Sequence, residues 1–215
     1  MPKFSHSGPA AAAAAVLEIA AGASSASAAA APRTADTLTV NSATGPNVAV
    51  GDVISAALSG SSTLSTSAGN VTCTAGSIGA EALTNTATTA TETVTSFTFT
   101  ASSCTSGITG TTSVSSIGLK SGTAPVATVT ASTSKPTVTP IVAVVLTTIF
   151  GPVSCHYSGA ASGALSNPAH SLAFSAVSVA RQTGSSSLCP ASGTFTATFK
   201  PVLHTTQAGG DVYVN

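Results

Sequence analysis

The chain has no tryptophan, two tyrosines and one methionine among its 215 residues. Charge is scarcer still: Asp, Glu, Lys and Arg together make up 6% of it, where about 25% is usual for a soluble protein. Each shortage excludes something. A formal net charge of zero leaves no electrostatic footprint for nucleic acid. It also supplies no polybasic segment for an anionic membrane surface. With only Tyr157, Tyr213 and seven phenylalanines, there is little for a sugar ring to stack on. No apolar run approaches the roughly 20 residues of a membrane-spanning helix. The longest after the leader begins at Ile141 and is of strand length, so no integral membrane segment is expected. Disorder goes with low hydrophobicity and high net charge. Here hydrophobic residues are 43% and the net charge is nil, so a folded body is expected.

What is present begins with a leader. A polar start carrying Lys3 gives way to the apolar run AAAAAAVLEIAA at 10–21, then to small residues with A-x-A sites at 26–28 and 28–30. That order is what a secretory signal peptide needs. Residues 1–31 are therefore expected to be a signal peptide cleaved near 28–31, and residues 32–215 a secreted domain. Glu18 inside the apolar core departs from the usual pattern, and no Arg-Arg pair points to the twin-arginine route.

From residue 37 onward Thr, Val, Ser, Ala and Gly dominate. β-Branched side chains suit a pleated surface and disfavour helix. Period-two alternation recurs: Phe97, Phe99 and Ala101 against Thr98 and Thr100; Leu172, Phe174 and Ala176 against Ala173 and Ser175; Phe195, Ala197 and Phe199 against three threonines. This is the pattern of half-buried antiparallel strands. Further strands are expected at 37–40, 48–58, 71–74, 113–119, 126–131, 138–150, 153–157 and 212–214. Gly and Pro punctuate the gaps between them. The fold class implied is all-β: an antiparallel, immunoglobulin-like or Greek-key β-sandwich.

Cys73, Cys104, Cys155 and Cys189 are the only cysteines, and an even number in an exported chain implies two disulfides. Four cysteines allow three connectivities. A weak internal duplication bears on the choice. V-T-C at 71–73 resembles V-S-C at 153–155, a Phe-bearing strand follows each, and the cysteines within each block lie 31 and 34 residues apart. Together with the shorter loops, it favours Cys73–Cys104 and Cys155–Cys189.

Little of the sequence carries chemistry. His156, His170 and His204 share no metal-ligand spacing with one another or with Asp36, Asp52, Glu81, Glu92 and Asp211. There is no C-x-x-C, no G-x-S-x-G elbow and no phosphate-binding glycine loop. Ser132-Thr133-Ser134-Lys135 matches S-x-x-K, but Pro136 follows it in strand-like surroundings and its partner motifs are missing. No catalytic residue, cofactor or metal site is expected.

The mature chain resembles a group of small secreted proteins of filamentous actinomycetes, known chiefly by their signal sequences, the Tat pathway signal among them. The likeness is carried by A-D-T-L-T-V at 35–40, V-G-D at 50–52, V-T-C at 71–73, L-C-P at 188–190 and V-Y-V-N at 212–215. It implies an exported β-sandwich and supplies no catalytic residues. The expected function is a secreted, non-enzymatic structural or surface-interaction protein, with self-association or cell-surface contacts as its partners. An extracellular binding module for a small molecule or glycan is the alternative, and a secreted hydrolase comes third.

Overall fold

The structure is a computed structural model that describes residues 35–206 and 210–215; the expected signal peptide and its cleavage site lie outside them. The described residues form sixteen strands and one 3-10 turn. In chain order the strands are β1 Leu38–Val40, β2 Val53–Leu58, β3 Ser62–Thr66, β4 Gly69–Cys73, β5 Gly76–Asn85, β6 Thr89–Phe99, β7 Cys104–Ser106, β8 Thr111–Leu119, β9 Val126–Thr130, β10 Lys135–Val138, β11 Ile141–Thr148, β12 Gly151–Ser158, β13 Ala161–Ser166, β14 Ser171–Arg181, β15 Ser192–His204 and β16 Gly210–Val214. Every pairing between them is antiparallel, so the all-β antiparallel class read from the alternation stands.

The long strands each serve two neighbours. β6 pairs with β9 through Thr89–Thr93 and with β8 through Thr98 and Phe99. β14 pairs first with β13 and then with β12. β15 pairs first with β3 and then with β2. One end of the molecule is therefore a closed circuit of hydrogen-bonded strands, β2-β5-β6-β9-β10-β13-β14-β15 and back to β2. At the other end β3 and β4 lie opposite β8, β11 and β12. There Leu64 and Val71 share a core with Val114, Val144, Leu146, Val153 and Tyr157. The larger core fills the closed circuit and centres on Phe97, Phe99, Phe174, Phe195 and Phe199, whose rings meet edge-on or tilted. β1 and β16 pair with each other and add Leu38, Val40, Val212 and Val214 to this core.

Several expected boundaries move. The strand expected at 48–58 starts only at Val53, because the Asp52 carboxylate accepts the Ala49 amide at 2.8 Å and bends the chain there. The stretch 138–150 divides at Thr139 and Pro140 into the end of β10 and the start of β11, where Pro140 has no amide to offer a ladder. Ala101 lies in the 3-10 turn rather than on the strand face of Phe97 and Phe99. Ala176 does not share the inner face with Phe174. The β14–β15 register shifts between Phe174 and Val177, Ala176 takes a left-handed φ of 47°, and Val177 turns inward instead. β3, β5, β7, β10 before Val138, and β13 were not anticipated. They are rich in Gly, Ser, Thr and Ala and carry few large side chains.

Both disulfides join as the duplication suggests. Cys73 and Cys104 face each other across β4 and β7, while Cys155 on β12 reaches Cys189 in the segment before β15. Around them the chain repeats a plan: the hairpin β3–β4 is followed by β5–β6 and Cys104, and the hairpin β11–β12 by β13–β14 and Cys189. The two bridges close loops of similar length, so the chain-entropy relation gives each about 3 to 4 kcal/mol. Replacing either pair, Cys73→Ala with Cys104→Ala or Cys155→Ala with Cys189→Ala, is expected to lower unfolding free energy by that amount. Urea unfolding under non-reducing conditions measures it, and a loss below about 1 kcal/mol for both pairs would contradict this account.

Candidate functional site

Two carboxylates enter the closed circuit on one layer, and they meet opposite surroundings. Asp52 stands just before β2 and is held in line with β5, its carbonyl accepting the Ala82 amide at 2.9 Å. Ala82 is in turn the register partner of Glu92 on β6. Asp52, Ala82 and Glu92 thus follow one another across three chain segments.

Asp52 is fully provided for. Its Oδ2 lies 2.7 Å from Nε2 of His204 and accepts the Ala49 amide at 2.8 Å. His204 is 0% exposed and Asp52 7%. Burial alone raises the Asp52 pKa. The His204 hydrogen bond, the Ala49 amide and the His204 charge outweigh it and hold the carboxyl below its ordinary value. A His–Asp contact resembles part of a hydrolytic triad, yet a histidine with no exposed surface cannot reach a substrate. The pair fastens the end of β15 to the turn before β2.

The other histidines sit with partners of their own. His170 Nε2 is 3.6 Å from Asp211 Oδ2 and its ring meets Tyr213 edge-on. His156 on β12 approaches the Ser154 hydroxyl at 3.4 Å, beneath the segment that leads to Cys189. None of the three lines the 70 Å³ or 90 Å³ interior cavities or the outer groove of about 440 Å³. No group of three or more His, Cys, Asp or Glu there is placed to hold a metal ion. Ser132, Thr133 and Ser134 form the turn between β9 and β10, with Lys135 opening β10. No described helix is long and apolar enough to cross a membrane.

Glu92 is the residue that sequence reasoning passed over. On β6 it lies in phase with Ala90 and Val94, both buried, and its register partners Ala82 and Ala127 are buried too. It lines an apolar cavity of about 70 Å³ with Ile54, Val129, Phe174 and Val202 among the walls. A neighbouring apolar cavity of about 90 Å³ shares Ile78, Val94, Val138 and Phe174 with it. Burial pushes the Glu92 pKa up from 4.5 to about 7. The signal was legible: T-A-T-E-T-V-T at 89–95 puts glutamate where the alternation calls for an apolar side chain.

The two carboxyls predict opposite pH responses. Asp52 titrates lower in the folded chain than unfolded, so its contribution is present above pH 4 and is lost as pH falls through the folded pKa. Asp52→Asn should cost about 3 kcal/mol near neutrality, the lower end for breaking a buried pair, with the deficit shrinking in acid. Urea unfolding of both proteins from acid to neutral pH tests this, and a deficit independent of pH would reject it. Glu92 titrates higher when folded, so the unfolded chain ionises first as pH rises from 4.5 to about 7, and the fold loses stability over that window. Glu92→Gln should match the parent at acid pH and exceed it by up to about 3 kcal/mol at alkaline pH. Parallel curves for parent and variant between those limits would show that Glu92 is not buried as described. A comparison of the chain with protein-family models, with curated proteins and with solved structures finds no match in any of the three.

Proposed function

We propose that the chain is an exported, non-enzymatic protein that acts through contacts made by its surface. The observation that carries this is the tip of the β11–β12 hairpin, where Ile149 is 71% and Phe150 88% exposed. The tip is built rather than loose. The Thr148 hydroxyl donates to the Gly151 carbonyl at 2.8 Å and accepts the Phe150 amide at 3.2 Å, and Gly151 takes a φ of 110° that favours glycine. An aliphatic and an aromatic side chain held outward together form the kind of anchor that protein contacts use. Two disulfides, the leader and the resemblance to secreted actinomycete proteins support export and an extracellular setting. A formal net charge of zero removes the repulsion that keeps copies apart, which favours self-association.

Light scattering of the disulfide-bonded protein over a concentration series at neutral pH should show association. The double variant Ile149→Ser, Phe150→Ser should weaken it without lowering thermal stability. A parent protein that stays monomeric throughout would remove the self-contact, and unchanged association in the variant would move it away from the hairpin tip.

A second reading, an extracellular binding module, is favoured by the two abutting apolar cavities. Their walls are almost wholly hydrocarbon, which suits a small apolar molecule better than a glycan.

A further inference from the structure

Cores normally surround a strand position with large side chains, and here the neighbours of Glu92 are small. Ala82 and Ala127 lie directly across from it, Ala90 is two residues before it, and Ala80 lines the same cavity. The room left beside the carboxyl is the cavity. Among the described residues no hydrogen bond or ion pair reaches the half-buried Glu92, and burial alone accounts for its shift. The nearest carboxylate on its layer, Asp52, is already committed to His204 and Ala49. On the flanking strands, Glu81 of β5 points outward and β9 carries no ionisable side chain. A carboxyl with hydrocarbon walls and no donor is costly to keep, and a leucine there would fill the space.

We propose that the interior beside Glu92 binds a compact, largely aliphatic molecule bearing one amine, its ammonium group paired with Glu92 and its hydrocarbon in the cavity of the closed circuit and in the neighbouring one that reaches toward β3, β4, β11 and β12. This rests on the binding-module reading. An apolar cavity of about 150 Å³ accepts benzene; the cavities of about 70 and 90 Å³ reach that order only together, once the shared walls Ile78, Val94, Val138 and Phe174 part to join them. An ionised carboxylate only accepts hydrogen bonds, so an ammonium donor satisfies it where an alkane cannot. The charge-assisted bond gains strength from the low dielectric of the surroundings. A way in is marked as well. Val138 and Ala161, the last pair of the β10–β13 ladder, line both the 90 Å³ cavity and an outer groove of about 440 Å³.

Calorimetric titration of the disulfide-bonded protein at alkaline pH with cyclohexylamine and with cyclohexanol tests the proposal. Cyclohexylamine is expected to bind about tenfold tighter than cyclohexanol, the factor one charge-assisted bond supplies. Glu92→Gln should bring the two affinities together, and Ala127→Phe, which fills the space beside the carboxyl, should abolish both. The glutamine variant is expected to fold at least as well as the parent, so its result stands even if the phenylalanine variant fails to fold. Equal binding of both ligands to the parent, or an amine preference that survives Glu92→Gln, would overturn the ammonium pairing while leaving the binding module in place. Tighter binding of cyclohexanol than of cyclohexylamine would overturn the ammonium pairing as well. Binding of neither ligand would overturn the pairing and the binding module together.

Discussion

A strand that pairs with different neighbours along its length must keep apolar side chains facing one interior throughout, and strict alternation cannot do so where the sheet changes direction. β6, β14 and β15, of 11, 11 and 13 residues, meet this constraint in the same way. Each carries a register irregularity that reverses its phase. On β6 the inward residues are Ala90, Glu92 and Val94, then Phe97 and Phe99 after the shift beside Thr95. On β14 Phe174 is followed inward by Val177. On β15 Ala197 and Phe199 are followed by Val202 and His204. A bulge adds one residue and increases the local twist, which lets one strand leave one neighbour and take up another. The closed circuit, the phenylalanine cluster at its middle and the cavities beside that cluster all depend on these three shifts.

The composition shows its consequence here. A β-fold without tryptophan and with few large side chains must close around alanine, and alanines packed on strands leave space that leucine would fill. Phe97, Phe99, Phe174, Phe195 and Phe199 occupy the middle of the interior, where the two ends meet. Away from them the layer thins to Ala80, Ala82, Ala90 and Ala127, and the cavity appears there. The disulfides compensate elsewhere. Cys73–Cys104 ties the short β7 to β4 alongside their backbone ladder, and Cys155–Cys189 ties the approach to β15 onto β12, where the Arg181 guanidinium also donates to the Cys189 carbonyl at 2.7 Å.

How much of this the sequence revealed follows the same physics. Strands with aromatic or β-branched residues in alternation, such as those around Phe97 and Phe195, were readable, as was the cysteine pairing once the two V-x-C blocks were compared. The segments that escaped were GSIGAEALTN of β5 and ASGALS of β13, whose small residues give hydropathy no period to follow. The bulges escaped as well. A phase reversal looks like the end of a strand when only one side of it is read, which is why Ala176 was placed on the inner face. His204 and Asp52 are 152 residues apart in number, and no local spacing announces a contact made by a β2–β15 pairing.

Asp52 and Glu92 share a layer, separated by Ala82, and the contrast between them separates a structural carboxyl from one kept for another purpose. Asp52 has a histidine and a backbone amide within 2.8 Å, and its position at a bend gives both partners a fixed place. Burial there is repaid by the contacts it permits. Glu92 lies in the middle of a strand whose own amides and carbonyls are committed to β5 and β9, so the backbone has nothing to offer its side chain. Its neighbours are alanines, which can neither pair with it nor fill the room around it. A core selected for stability alone would exchange that glutamate for a hydrocarbon at little cost in shape. Glu92 finds no partner among the described residues, and the apolar walls beside it set the chemistry of a ligand that would bring one.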